Sequence, residues 1–371
     1  MEETIIDKQR KIMLEKGFDT LVAISVENVA YTAGVEIPSQ SLTRQRHAIC
    51  LVPFRGEPKM IVVNMEESLA KSNSRIKDIR SYNEFTENPM DLLVDAIKEC
   101  GLDRSRIGIE LDYLPAKDYL RLKDLLPGAQ FIDCGKLFSK MRMIKTKEEI
   151  NLLRQAGKAA EKAQYLALSK LKPGMAELDL ASFVVSSLFS EGIDSIKPLV
   201  LGAGNRCWHA NPGPTKYNIK LGDMIRMGIS GLISGYFSDV ARTAVVGKPT
   251  VFMKDTWSKL IESRAIVLDL IKPGSYTQDI YFAFSNKFKK LGLEPIDFVG
   301  HGIGLTIHEE PYISKFSNTT LEEGMVLGVE PYYMLPEKQM GFQIEDEVIV
   351  TSQGYELITN YKDPSDLIVV D

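Results

Sequence analysis

The chain has 371 residues, 44% apolar and 26% charged, with a net charge of −5; at roughly 100–200 residues per domain it holds about two globular domains. The acidic balance, and the lack of a basic stripe with interleaved aromatics, argue against nucleic acid as a partner. No apolar run approaches the roughly 20 residues of a membrane span, Met1-Glu2-Glu3-Thr4 lacks the parts of a signal peptide, and Cys50, Cys100, Cys134 and Cys207, with no Cys-x-x-Cys spacing, read as reduced thiols of a cytoplasmic protein.

Residues 1–143 read as an α/β domain. A polar amphipathic helix over about 3–16 leads to the apolar strand Thr20–Ile24. Further strands are expected at Ala48–Val52, Met60–Val63 and Ile107–Leu111, with helices near 89–100 and 115–125. Short strands alternating with helices imply a mixed, partly parallel sheet. A boundary near Lys145 opens the second domain, 144–371. Thr146-Lys147-Glu148-Glu149 is a capping box at the head of a helix to about Leu171. Its apolar stripe is Ile150, Leu153, Ala156, Ala160 and Ala163, and Pro173-Gly174 stops it.

This second half carries an internal repeat. Leu171-Lys172-Pro173-Gly174 returns as Ile271-Lys272-Pro273-Gly274, and Asp179/Asp279, Leu180/Ile280, Gly192/Gly292 and Ile196/Ile296 hold the same offset of 100. Eight positions at one offset imply an α+β domain with pseudo-twofold symmetry. Gly324 precedes Glu330 by six residues, as Gly222 precedes position 228, and Asp239 then matches Glu345. A symmetric site would carry an acid at 228, where this chain has Gly228.

One imidazole and three carboxylates, His301 with Asp239, Glu330 and Glu345, form a ligand set for a divalent metal if the fold gathers them. Such a cluster is too repulsive to assemble unless something cationic sits in it. Gly302 and Gly304 beside His301 permit close backbone approach, and a loop there can bring His308 to the same side. His308-Glu309 lacks the second histidine of a zinc helix, and Pro311 interrupts it. Gly202-Ala-Gly204 is followed by prolines and reads as a turn. Cys207 reads as a packed thiol, and Asp346 and Glu347, flanking Glu345, are expected to be partly exposed.

Ser238-Asp239-x-x-Arg242-Thr243, His301-Gly-Ile-Gly-Leu with His308-Glu309-x-Pro311, Glu330-Pro331 and Ile344-Glu345-Asp346 resemble the pita-bread family of methionine aminopeptidases, Xaa-Pro peptidases (prolidases) and creatinase. The N-terminal domain is similar to the creatinase/prolidase type. The resemblance implies Asp239, His301, Glu330 and Glu345 as metal ligands, with Glu330 also shuttling a proton, His308 at the transition state and His209 near the substrate. The first aspartate of the two-metal site falls on Gly228, so one ion (manganese, iron, cobalt or zinc) is implied. Gln343 stands where many prolidases carry an arginine. The expected activity is hydrolysis of a C–N bond in a small substrate, dipeptides first. A metal-free creatinase-like hydrolase of a cationic substrate, with His209 moving the proton, and a non-catalytic binding protein are the rival readings. The resemblance further implies a homodimer, with Tyr31, Arg44 and Arg46 as candidates to reach the neighbour's site.

Overall fold

In a computed structural model, residues 4–370 are described. The chain divides into two compact units, Met1–Arg142 and Met143–Asp371.

The first unit is built on six strands: β1 (Thr20–Ala23), β2 (Ile49–Pro53), β3 (Lys59–Val63), β4 (Asp78–Tyr82), β5 (Arg106–Ile109) and β6 (Gln130–Asp133). They lie in the order β4-β3-β2-β1-β5-β6. The β1–β2 and β2–β3 pairs are antiparallel; β3–β4, β1–β5 and β5–β6 are parallel. The sheet is therefore mixed, as the alternation of elements implies. Strands β4 and β6 carry no strand signal in the sequence. Both lie at the sheet's edges, and Asp-Ile-Arg-Ser-Tyr and Gln-Phe-Ile-Asp are mostly half-buried or exposed, so neither presents the apolar run of a central strand. The leading helix, Ile5–Lys16, starts at a Thr4–Asp7 capping box and ends where Gly17 turns left-handed at φ 70°.

The second unit repeats one arrangement twice. Helix Lys147–Leu168, opened by the Thr146–Glu149 capping box, is followed by helix Glu177–Ser190; Val251–Leu270 is followed by Thr277–Lys290. The two second helices are offset by 100 residues at both ends (177 to 277, 190 to 290). The glycine after each Lys-Pro turn donates to a loop carbonyl, Gly174 to Ile219 (2.7 Å) and Gly274 to Leu321 (2.9 Å).

Each helix pair packs on a sheet. The first sheet holds β7 (Ser195–Ala203), β8 (Met224–Ile233), β9 (Tyr236–Phe237), β10 (Val240–Val246) and β18 (Ile368–Val370), with main order β18-β10-β8-β7. The second holds β11 (Phe298–Gly302), β12 (Glu309–Ser314), β13 (Val326–Val329), β16 (Asp346–Thr351) and β17 (Gly354–Leu357), in the order β12-β11-β13-β16-β17. A hairpin of β14 (Tyr332–Leu335) and β15 (Met340–Gln343) stands beside them.

The sheets meet where Ala241 and Glu345 exchange backbone hydrogen bonds, 3.4 Å and 2.9 Å. Beneath that seam, Arg242 pairs with Glu161 (2.6 Å) and Asp346 (2.7 Å), and Arg264 with Asp346 (2.5 Å), all buried. Burial opposes its ionisation, yet the two guanidinium groups hold the Asp346 carboxyl below its ordinary range. Removing one partner from such a buried set leaves an uncompensated charge, so this network fixes how the two repeats join.

Among the described residues no helix is long and apolar enough to cross a membrane. The four cysteines are free thiols.

Candidate metal centre

Asp239 follows the short strand β9 and leads into β10. Glu345 stands in the equivalent place between β15 and β16. His301 lies within β11, and Glu330 directly follows β13. These segments converge where the two sheets meet. His301, Glu330 and Glu345 offer ligand atoms within 4.8 Å of one another, as do Asp239, His301 and His308. His301 and His308 stack at 3.6 Å between ring centroids, 14° from parallel. A regular strand would put residues seven apart on opposite faces; the irregular 303–308 segment turns His308 back. The glycines permit this tightness. A Cβ on Gly302 would lie 2.3 Å from the Glu310 carbonyl oxygen, and one on Gly328 only 3.2 Å from His301 Nε2.

His301 is fully buried. Its Nδ1 lies 3.0 Å from its own neighbour's carbonyl, Gly302 O, a geometry that puts the ring proton on Nδ1 and leaves the Nε2 lone pair facing inward. Burial pushes the His301 imidazole below its ordinary range, keeping it neutral. Nε2 then faces Glu330 Oε1 at 3.4 Å and Glu345 Oε1 at 3.3 Å. All three atoms are buried without a hydrogen-bond partner. Three converging lone-pair donors with nothing between them have the chemistry of a divalent-metal site, and Asp239 shares a second such group with His301 and His308.

The electrostatics agree. Burial, then Glu345, raises Asp239 well above its usual range; burial, then Glu345 and Asp239, does the same to Glu330. Burial and the adjacent Asp346 push Glu345 up to about 8. Burial and His301 push His308 down to about 4, so it is neutral at physiological pH.

A stability consequence follows for the metal-free protein. Carboxyl groups whose folded pKa lies above the unfolded value stay protonated in the fold after the unfolded chain has lost its protons. Their contribution is fully present below the unfolded value, about 4.3, and is lost as pH rises towards about 8, the level of Glu345. Thermal melts in chelator are expected to fall progressively from pH 5 to 8.5. Manganese should flatten that slope. A metal-free melting temperature that rises over the window contradicts the assignment of a repulsive cluster.

Five of the six singled-out residues thus come together: Asp239, His301, His308, Glu330 and Glu345. His209 does not join them. It is exposed, with its ring 4.3 Å from that of Trp208, while Ala210 and Asn211 just beyond it line a cavity of about 520 Å³ over the cluster.

One expectation needs correction. Asp346 and Glu347 are fully buried, not partly exposed, because both repeats close over β16. Asp346 joins the arginine network, and Glu347 Oε1 accepts the Asp239 backbone N–H at 2.6 Å. Tyr31 is buried in its own unit, its hydroxyl donating to Met141 O, and Arg46 pairs with Glu84 at 2.8 Å.

Cys207 is buried, donating to the Met224 and Gly202 carbonyls, and burial pushes its thiol up to about 12, which removes it as a nucleophile.

Several residues about the site escaped the sequence reading. Lys145 makes a buried 2.7 Å pair with Glu309, which pins the segment after His308. Ser230 Oγ lies 3.4 Å from Asp239 Oδ1. Arg226, in the cavity wall, had a visible signal: one permanent charge inside the apolar run Met224–Ile233.

A doubled helix-on-sheet unit whose seam holds one histidine and three carboxylates around converging lone pairs is the architecture of a metal-dependent hydrolase. Residues 151–352 match Metallopeptidase family M24, and residues 5–144 match the Creatinase/Prolidase N-terminal domain. The chain belongs to the M24 metallopeptidases, hydrolases of peptide-type C–N bonds with the pita-bread fold. It is 27% identical to the Xaa-Pro dipeptidase of Pyrococcus furiosus, over 95% of this chain and 97% of that protein. Among solved structures it is similar to the Xaa-Pro dipeptidase from Bacillus anthracis, with a TM-score of 0.85, 27% identity and coverage of 98% and 99% of the two chains. The prolidase from Thermococcus sibiricus superposes at a TM-score of 0.87 with 25% identity, covering 98% of each chain.

Proposed function

We propose that this protein is an Xaa-Pro dipeptidase-like enzyme that uses one divalent ion held by Asp239, His301, Glu330 and Glu345. The observation that carries this reading is the convergence of His301 Nε2, Glu330 Oε1 and Glu345 Oε1, buried and without partners. An ion there supplies Lewis-acid polarisation of the scissile carbonyl and brings the pKa of water down towards ~7. The oxygen-rich donor set suits manganese, iron, cobalt or zinc.

The chain's own groups divide the remaining work. Glu330, at the cavity floor, accepts the proton of the attacking water and passes it to the leaving nitrogen. His308, neutral and at the cavity mouth, donates a hydrogen bond to the developing oxyanion. His209, on the segment edging the cavity, meets the leaving side of the substrate. The cavity of about 520 Å³ admits a dipeptide-sized molecule. Relatives of matching length named Xaa-Pro dipeptidase support the substrate class. A homodimer in the cytoplasm completes the proposal.

A panel of Xaa-Pro dipeptides, guanidino acids and cyclic amidines, assayed with manganese and after chelation, tests it. Hydrolysis of Xaa-Pro dipeptides should disappear with chelator and return with added manganese. Full turnover by protein shown to be metal-free, or turnover of the guanidino acids alone, would overturn the metal reading.

A further inference from the structure

Arg226 lines the cavity and has no part in the chemistry above. It is 2% exposed and lies on β8, where alternation puts it on the same face as Gly228 and Ser230, all three in the cavity wall. Its donors are directed at neutral oxygens. Nε donates to Cys207 O at 3.0 Å, Nη2 to Ala210 O at 2.6 Å and to His209 O, and Nη1 to Gln343 Oε1 at 2.5 Å. Gln343 in turn donates from Nε2 to Glu330 Oε2 at 3.4 Å. The Gln343 backbone is itself strapped to the Thr243 hydroxyl, which accepts from its N–H and donates to its carbonyl, both at 2.9 Å.

A buried guanidinium must have its donors filled, and its planar fork accepts partners only in fixed directions. Three of Arg226's acceptors are successive or near-successive carbonyls of one irregular segment, 207–210, which no strand ladder holds. The fourth fixes which way the Gln343 amide points. Its oxygen is taken by Arg226, so its NH2 is turned to Glu330. One side chain therefore ties a loop and a carboxylate from distant parts of the chain to the same rigid group.

We propose that Arg226 is a positioning residue that sets two parts of the site at once: it locks the segment carrying His209, and through Gln343 it orients the Glu330 carboxylate. The inference rests on the roles given above to His209 and Glu330. It differs from a purely structural role because its two branches act on different quantities. The Gln343 branch governs how well Glu330 presents its free oxygen to an ion. The carbonyl branch governs where His209 stands against the substrate.

Two variants separate the branches. Gln343→Met cuts the Gln343 branch, both its bond from Arg226 Nη1 and its link to Glu330, and leaves the carbonyl bonds of Arg226 in place. It should weaken manganese binding, measured by calorimetry, by about 10–100-fold, as loss of an outer partner of a metal ligand does. At saturating manganese, where the ion itself holds Glu330, its kcat should fall less than that of Arg226→Met. Arg226→Met removes both links. It should show the same weakened manganese affinity and, at saturating manganese, a kcat lowered by about 10–10²-fold with a much smaller change in KM. Arg226→Lys, which retains charge and some of the carbonyl contacts, should recover part of that kcat.

Manganese affinity is read without any substrate. Failure of the peptidase reading therefore appears as absent hydrolysis by the wild type, whereas wild-type manganese affinity in folded Gln343→Met and Arg226→Met overturns the positioning role. If Arg226→Met does not fold, Gln343→Met decides alone, and unchanged affinity there is sufficient to reject the proposal.

Discussion

Glu330→Gln is expected to lower kcat/KM on an Xaa-Pro dipeptide by about 10²–10⁴-fold, the range seen when a positioned acid–base group is lost, and to make the metal-free protein more stable at pH 8. Glu330 is buried beside two other carboxylates, one oxygen bonded to Gln343 and the other without a partner. Glutamine keeps the shape but removes both the charge that attracts a cation and the basic oxygen that takes a proton. Activity falls for both reasons, and KM cannot compensate because the loss acts on the chemical step. Stability moves the other way. In the absence of metal the carboxylate adds repulsion with Glu345 and Asp239 in a dry site, and the amide relieves it. The measurements are steady-state kinetics with manganese and thermal melts in chelator at pH 8. A variant that loses activity but also melts lower without metal contradicts the view that positive charge is what the cluster lacks. One that keeps activity within threefold removes Glu330 from the chemistry.

The legible parts of this molecule were those marked by local chemistry. The Thr146–Glu149 capping box and the Lys-Pro-Gly turns are short-range signals, and the helices begin and the chain turns where they stand. The repeat was visible because Gly174 and Gly274 must both adopt positive φ, at 93° and 87°, and glycine serves both. His301, Glu330, Asp239 and Glu345 were legible as a set through the family motifs around them; among the three adjacent acids 345–347 only the motif match singles out Glu345.

What was not legible depended on the third dimension. The sequence presents Glu345, Asp346 and Glu347 as three adjacent acids, yet they face a metal-type cluster, an arginine network and the Asp239 backbone N–H respectively. Alternation along a strand separates neighbours, but nothing local says that both faces of β16 are covered. Lys145 reads as a linker charge, and only the fold carries Glu309 to it. Arg226 was detectable as a charge in an apolar strand, but its acceptors are main-chain carbonyls, which no pattern of side chains announces.

Gly228→Asp is expected to change the number of manganese ions bound per chain from one to two, and to make stability strongly dependent on metal. The position can take a side chain. A Cβ there would lie 3.6 Å from Val200 Cβ and 3.9 Å from Ala241 Cβ, both ordinary contacts, and the glycine is not among those with positive φ. Strand alternation points the added carboxylate into the cavity between Arg226 and Ser230, on the side where Asp239 approaches. The repeat argues the same geometry, because position 228 on β8 pairs with Ala241 on β10 and lies opposite the place of Glu330 in the second half. With no ion present, a further buried negative charge should lower the melting temperature. With manganese at about 100 times the dissociation constant of the new site, binding should return about 2.7 kcal/mol. The gap between metal-free and metal-saturated melts should therefore widen relative to wild type, while calorimetry or elemental analysis counts two ions. Arg226 supplies the competing outcome. Its guanidinium lies two residues away on the same face and can pair with the new carboxylate in place of an ion. A stoichiometry that stays at one, with melts insensitive to added metal, would show that this arginine, and not the missing aspartate alone, holds the site to a single ion. Arg226→Met in the Gly228→Asp background distinguishes the two: a second ion that binds only when the guanidinium is gone assigns the restriction to Arg226.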